Sequence, residues 1–233
     1  MQIFDARRLV VACAIALLSL TARANDSTSS TTPNLWSGDF TTRLEALALL
    51  QTLNAELLSH DSATMTLEHW CAIHHMTAEP RIVAERVHDI DKPISTAQRQ
   101  ELGITPTEKV RYRRVNLRCG TLVLSQADNW YVPSRLTPDM NKQLDTTDAP
   151  FGKVVQALHF QRHTLWSKVL WWPLPEGWEM QASVVSSELA TSSMPELLLE
   201  HKAVLTLPDG TPISEVLESY TDQVMDFPLP HRQ

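Results

Sequence analysis

The stretch RYRRVNLRCG, Arg111 to Gly120, most constrains the fold, because it combines the alternation of a β-strand with four arginines. Alternate residues of a strand point to opposite faces of the sheet. Arg113 therefore shares a face with Val115 and Leu117, whereas Arg114 points to the other face. A guanidinium buried beside apolar side chains requires an anion. The sequence thus leaves two candidates for that anion, a carboxylate of the protein or one that a ligand brings.

The first 24 residues are typical of a secretory signal peptide. Arg7 and Arg8 form a positive region, and the apolar run from Leu9 to Leu20 is too short to span a bilayer. A small-x-small cleavage site ends at Ala24. We therefore expect cleavage after Ala24 and export to the periplasm or the medium, with no integral membrane segment in the mature chain.

The remainder is predicted to be one domain that follows a short leader. Residues 25–38 are rich in Ser and Thr, a composition typical of disorder, and residues 39–233 have the length of a single domain. The formal net charge is −7. An acidic chain is not expected to bind nucleic acid or an anionic membrane surface.

Two cysteines, Cys71 and Cys119, remain after removal of the signal peptide. An even pair in an oxidising compartment favours a disulfide. The alternative is two buried free thiols, because cysteine is also a small core residue.

The histidines and cysteines do not have the spacing of a metal site. His69, His74 and His75 are not four residues apart, as two ligands on one face of a helix would be. No Cys/His pattern matches a zinc site either. We therefore expect neither a metal nor an organic cofactor.

The hydrophobic pattern predicts an α+β fold. Leu44, Leu47 and Leu50 recur at helical spacing, and Asp39 can cap the start of that helix. The strands follow one another in hairpins, which favours an antiparallel β-sheet with helices packed on one side. Helices are predicted at 39–59, 64–74, 94–102, 137–144 and 149–157, with a further turn at 195–200; strands are predicted at 81–88, 110–119, 121–132, 158–170, 201–207 and 212–220.

The last predicted strand carries two glutamates, Glu215 and Glu218, on opposite faces. A glutamate turned inward could orient a hydroxyl group or act as a base. The alternative is that it pairs with an arginine of the hairpin, in which case the protein itself supplies the anion and no ligand is needed.

Five stretches between residues 57 and 220 occur in an order and at separations found in a known family. Together they resemble chorismate lyase, which splits chorismate into 4-hydroxybenzoate and pyruvate, and the related UTRA effector domains of bacterial transcription regulators. The resemblance implies a chorismate-lyase-like fold. The stretches are LLSHDSAT (57–64), VRYRRVNLRCG (110–120), WYVPSRLT (130–137), DAPFGKVV (148–155) and DGTPISEVLESY (209–220).

The resemblance implies two groups that act on the substrate. One strand arginine of the family clamps the substrate carboxylate. It falls on Arg114 in an ungapped match, whereas strand parity favours Arg113. The ligand-contacting glutamate of the family falls on Glu218 if one residue is inserted, and on Glu215 otherwise.

The resemblance also implies substrate-binding positions. A turn that contributes backbone contacts matches Phe151 and Gly152, with Phe151 in place of the family's leucine. An apolar contact falls at Ala63, with Met65 close by. A second basic residue of the family corresponds to Asn129, which removes one partner for a carboxylate.

Three functions follow as hypotheses. The first is an exported carbon–oxygen lyase that eliminates pyruvate from chorismate, or from a related cyclohexadiene carboxylate, to give 4-hydroxybenzoate. The second is a non-catalytic periplasmic protein that binds a small aromatic carboxylate. The third is a structural protein whose arginines are paired internally.

Overall fold

The computed structural model describes residues 36, 38–180, 189 and 193–227. The predicted signal peptide lies outside these residues, as does the predicted leader apart from Trp36 and Gly38. Trp36 is buried, and its indole Nε1 donates a hydrogen bond to the Met225 carbonyl oxygen at 3.0 Å. Within the described residues, no helix has both the length and the apolar character needed to cross a bilayer.

The fold is built on one six-stranded antiparallel sheet with the order β1-β2-β3-β6-β5-β4. The prediction of an α+β fold around an antiparallel sheet is confirmed. The helical turn predicted at 195–200 is wrong, because β5 begins at Leu197 and pairs with β6 from that residue onward. The strands are β1 (Ile82–Val87), β2 (Arg111–Cys119), β3 (Leu122–Tyr131), β4 (Gln161–Val169), β5 (Leu197–Thr206) and β6 (Pro212–Thr221).

Five α-helices lie within the described ranges 38–180 and 193–227, and local capping sets where several of them begin. The Asp39 carboxylate accepts from the Thr42 amide at 2.8 Å, as the sequence predicts, and the Ser62 hydroxyl accepts from the Met65 amide at 3.3 Å. The helix predicted at 149–157 is shorter than expected and is followed by a 3₁₀ turn. The helices are α1 (Phe40–Ser59), α2 (Ala63–Ile73), α3 (Thr96–Glu101), α4 (Pro138–Thr146) and α5 (Phe151–Val154).

The two faces of the sheet are covered differently. The face that carries Val115 and Ala127, called the inner face, packs against α1 and α2 and, towards one end, against α4 and α5. The opposite face, called the outer face, is covered at one end by α3, where Leu102 at the end of that helix packs against Val204 of β5. Of these five described helices, four lie on the inner side, as predicted, whereas the short α3 lies on the outer side and departs from the prediction.

A disulfide and two carboxylates tie α2 and the turn before it to the sheet. Cys71 of α2 is bonded to Cys119 at the end of β2, so the predicted pairing is present. The Glu68 carboxylate accepts from the Ile82 amide on β1, and the Asp61 carboxylate accepts from the Arg162 amide on β4, each at 2.8 Å. Both edge strands thus have a backbone donor occupied, which reduces pairing with another chain.

Candidate functional site

A pocket lies between the inner face of the sheet and the first residues of α2 and α5. The centre of a water-sized molecule can occupy about 40 Å³ of it, and the empty space is about 500 Å³ when the open solvent at its mouth is counted. The sheet supplies a mainly apolar floor, and the two helix starts supply the roof. The lining residues are Asp61, Ser62, Ala63, Thr64, Arg113, Val115, Leu117, Ala127, Asn129, Phe151, Gly152, Phe160, Arg162, Leu205, Val216 and Glu218.

Arg113 is a buried charged group of the pocket with no opposite charge within ion-pair distance among the described residues. It is only 4% exposed, and its guanidinium donates to the carbonyl oxygens of Ala149 at 3.0 Å and Thr147 at 3.4 Å. Its Nε is buried without a hydrogen-bond partner, and no described carboxylate lies within ion-pair distance. Burial, with a smaller contribution from the Arg86 charge, lowers the pKa of Arg113 to about 10. The pocket therefore holds a cation that is incompletely stabilised by the protein.

A buried ion pair forms a second polar feature of the pocket. The Arg162 Nη2 donates to the Glu218 Oε2 at 2.6 Å, and the two side chains are 3% and 8% exposed. The Tyr220 hydroxyl donates to the same oxygen at 3.1 Å. Burial alone would lower the pKa of Arg162, but Glu218, Tyr220 and Asp61 together outweigh it and the net shift is upward. The Arg162 guanidinium is thus held as a cation beside Glu218.

The roof depends on close contact between α2 and α5. A Cβ atom on Gly152 would lie 3.0 Å from the Ser62 Oγ, so a larger residue there would push the two helix starts apart. Phe151 is buried beside Tyr131, with 5.6 Å between ring centroids. Together these contacts place an aromatic ring and two helix starts over the floor.

The structure separates the alternatives that the sequence left open. Arg113, Glu218, Phe151, Gly152 and Ala63 all line the pocket.

Three candidate residues lie elsewhere. Arg114 is on the outer face, where it donates to Gln126 at 2.9 Å and Asp128 at 3.4 Å. Glu215 is also on the outer face, because β6 alternates its side chains. Met65 lies in the first turn of α2, is 40% exposed and does not line the pocket. These three predicted site residues therefore do not come together with the others in this pocket.

Sequence reasoning missed Arg162 and Phe160. Arg162 and Thr164 share one face of β4, and that strand is otherwise largely exposed. Its periodicity therefore gave no indication that the Arg162 side chain is buried. The sequence pointed to this region only through Asp61, which lies in the stretch LLSHDSAT and accepts a hydrogen bond from the Arg162 amide. A residue fixed by a contact 101 positions away is not visible in local patterns.

The outer face holds two polar clusters that are internally paired. Asp128 is 6% exposed and accepts from Lys92 and the Tyr112 hydroxyl, each at 2.5 Å. Glu215 is fully buried and accepts from Gln98 at 2.9 Å and Lys202 at 3.2 Å. Burial, followed by a hydrogen bond with Glu101, raises the pKa of Glu215 to about 7.

The described residues offer no metal site. No group of three or more His, Cys, Asp or Glu side chains comes together within the part of the chain that the structure describes. The pocket contributes two carboxylates, Asp61 and Glu218, and each already accepts a hydrogen bond from Arg162.

Comparison with known proteins gives distant structural neighbours, described first, and a sequence relative. No known protein family has a model that matches the chain. The solved structure of PhnF from Mycobacterium smegmatis is 13% identical with a TM-score of 0.48, covering 76% of this chain and 71% of that one. The regulator YydK from Bacillus subtilis is 15% identical with a TM-score of 0.38, covering 65% and 62%.

The relative is the uncharacterized protein y4mC of Sinorhizobium fredii. It is 49% identical over 223 residues, which cover 95% of this chain and 92% of that protein. The match extends over nearly the whole of both chains. The chain therefore belongs to the family of y4mC.

Proposed function

We propose that the pocket binds a small aromatic carboxylate and that the ligand's carboxylate lies against Arg113. The observation that carries the proposal is a guanidinium 4% exposed in a mainly apolar pocket, with only carbonyl oxygens as partners among the described residues. Removing an unpaired charge from water is costly, and a planar carboxylate matches a guanidinium in shape and charge. An incoming carboxylate would supply the missing charge.

The apolar surfaces of the pocket support a flat ring as the body of the ligand. Val115, Ala127 and Val216 form neighbouring positions of the floor, and Phe151 and Phe160 lie among the lining residues above it. A ring placed between aliphatic and aromatic side chains would bury apolar area on both faces.

Glu218 supports a polar substituent on that ring. Its Oε2 accepts from Arg162 and Tyr220, whereas its Oε1 accepts from no described residue. A ligand hydroxyl could donate to Oε1. 4-Hydroxybenzoate combines a carboxylate, a ring and a hydroxyl, and is therefore the first probe.

Calorimetric titration of the purified protein tests the proposal. We expect 4-hydroxybenzoate and benzoate to bind, and the neutral isostere benzamide to bind at least about tenfold more weakly, because it lacks the charge that Arg113 requires. Equal affinity for benzoate and benzamide, or no binding of any of the three, would overturn the proposal.

A carbon–oxygen lyase acting on chorismate is the second candidate. It is favoured because the residues that the resemblance to chorismate lyase selects on the inner face line a common pocket. Loss of pyruvate creates an aromatic ring, so the protein would mainly need to hold the dianion in a reactive shape. We rank it second because Glu218 is fixed by two donors, which suits a stationary acceptor better than a group that moves a proton.

Incubation with chorismate separates the two candidates. The lyase predicts 4-hydroxybenzoate absorbance that accumulates with time and disappears in Arg113→Ala. The binding protein predicts no accumulation above the spontaneous rate while 4-hydroxybenzoate still binds.

We further propose that the protein is exported after cleavage at Ala24. The bond between Cys71 and Cys119 supports this, because such disulfides persist in oxidising compartments. Intact mass spectrometry of the periplasmic fraction should give a chain that begins at Asn25 and carries the disulfide. A full-length, reduced chain in the cytoplasmic fraction would contradict export.

A further inference from the structure

The stability of the sheet does not by itself explain the Arg162–Glu218 ion pair. Both side chains are almost fully buried and both line the pocket. A buried ion pair usually contributes little net stability, because desolvation offsets the attraction, and apolar residues often replace it without loss. The position of this ion pair in the wall of the pocket therefore favours a role in ligand binding.

The pair leaves specific atoms without partners. The Arg162 Nε is buried and makes no hydrogen bond within the described part of the chain. Both donors that reach Glu218 bind its Oε2, so its Oε1 stays open. The pair thus has one donor and one acceptor without partners among the described residues.

We propose that Arg162 determines ligand specificity by forming, with Glu218, a site for a neutral hydroxyl on the ligand. This inference rests on the proposed function and deepens it. A hydroxyl can donate to the Glu218 Oε1 and accept from the Arg162 guanidinium. A second carboxylate would be repelled by Glu218, and an ammonium would be repelled by Arg162. A plain hydrogen would leave both polar atoms unsatisfied.

The order of the strands puts this site away from the carboxylate site. Arg113 lies on β2 and Glu218 on β6, which is two strands further along the sheet, so the two strands are about 10 Å apart. Arg162 extends from β4, two strands beyond β6. The two arginines therefore approach the pocket from opposite directions, with the apolar floor between them.

Arg162 also positions Glu218. Its backbone amide is held by Asp61 at 2.8 Å, and its side chain binds one oxygen of the glutamate at 2.6 Å. This contact, with that of Tyr220, keeps the other oxygen available to the ligand. Loss of the guanidinium would remove one of the two anchors and one of the two groups that bind the hydroxyl.

The experiment compares ligands in matched variants. Titrations of 4-hydroxybenzoate, benzoate and terephthalate are carried out on the parent, Arg162→Gln and Arg162→Lys, with Lys168→Gln as the control on the same strand. Lys168 has a 58% exposed side chain and does not line the pocket. We expect the parent to prefer 4-hydroxybenzoate over benzoate by about tenfold or more, since each unsatisfied buried group is costly.

The variants should change that preference selectively. Arg162→Gln should reduce it to about twofold or less while benzoate still binds through Arg113. Arg162→Lys should keep part of the preference, and Lys168→Gln should keep all of it. Terephthalate should bind the parent more weakly than benzoate does.

The outcomes that overturn the inference differ from those that overturn the proposed function. Absence of carboxylate binding by the parent defeats both. Benzoate binding without a preference for the hydroxyl, or an equal loss of both ligands in Arg162→Gln, defeats only the inference. If Arg162→Gln does not fold, Arg162→Lys decides, because an unchanged preference ratio in that variant also defeats it.

Discussion

Two neighbouring arginines of one strand meet opposite surroundings on the two faces of the sheet. Arg114, on the outer face, donates to Asp128 and Gln126. Arg113, on the inner face, has only carbonyl oxygens as partners among the described residues and lines a cavity. One face therefore pairs its arginine with a carboxylate of the protein, whereas the other leaves a buried guanidinium without an opposite charge within ion-pair distance among the described residues.

The largest expected effect compares the two buried arginines of the inner face. Arg162→Met should destabilise the protein by about 3–5 kcal/mol, because it leaves the Glu218 carboxylate buried without its partner. Arg113→Met should be neutral or stabilising, because it removes a charge that already lacks a partner. Urea denaturation of both variants measures the two free energies of unfolding. Similar losses in both would show that Arg113 has a structural partner after all.

The disulfide should have the next largest effect. It closes a loop of 48 residues, and the double variant Cys71→Ser, Cys119→Ser should lose about 4 kcal/mol of stability on the loop-entropy model. Because the bond joins α2 to β2, the roof of the pocket should loosen as well. Denaturation of the parent with and without a reducing agent is the measurement. An unchanged midpoint after complete reduction would contradict it.

On the outer face, Glu215→Gln should alter the pH dependence of stability. The folded-state pKa of Glu215 is about 7 against an ordinary 4.5, mainly because of burial. Between these values the folded protein holds a proton that the unfolded chain has lost, so stability falls as pH rises through the window.

Glutamine has no proton to lose, so the variant should gain stability over the parent as the pH rises, by of order 3 kcal/mol above pH 7. Denaturation at several pH values measures the difference, in which groups common to both proteins, such as His201, cancel. A difference that shrinks with rising pH would show that the carboxylate is stabilised as an anion by Lys202.

The smallest effect is expected at Arg111, which precedes the buried part of β2. Its pair with Asp145 is 49% and 44% exposed. Exposed ion pairs contribute little, so Arg111→Ala should cost at most about 0.5 kcal/mol. A loss of several times that amount, measured by the same denaturation, would mean that exposed ion pairs contribute more to stability than their exposure predicts.

Much of the fold could be predicted because local patterns determine it. The leucines of α1 recur at helical spacing, and the Asp39 cap fixes where that helix begins. Alternation around Arg113 placed it on the apolar face of β2, where the structure has it. The helical turn predicted at 195–200 was wrong, since pairing with β6 decides the conformation there and no local signal reports it.

The site was predictable only where strand parity or the family resemblance applied. Parity separates Arg113 from Arg114 and Glu218 from Glu215, but it cannot say which face encloses a cavity. Arg162 was missed because its burial depends on Glu218 and Asp61, which are distant in sequence. Tertiary contacts of this kind decide which charges are paired, and they are absent from composition and periodicity.

The most direct test of the account is the affinity for 4-hydroxybenzoate in Arg113→Ala and Arg114→Ala, measured by titration calorimetry under identical conditions. The account predicts that Arg113→Ala binds at least about tenfold more weakly than the parent, because a charge-assisted contact is lost, whereas Arg114→Ala binds within about twofold of it. The reverse order, or equal losses, would contradict the assignment of the inner-face arginine to the ligand.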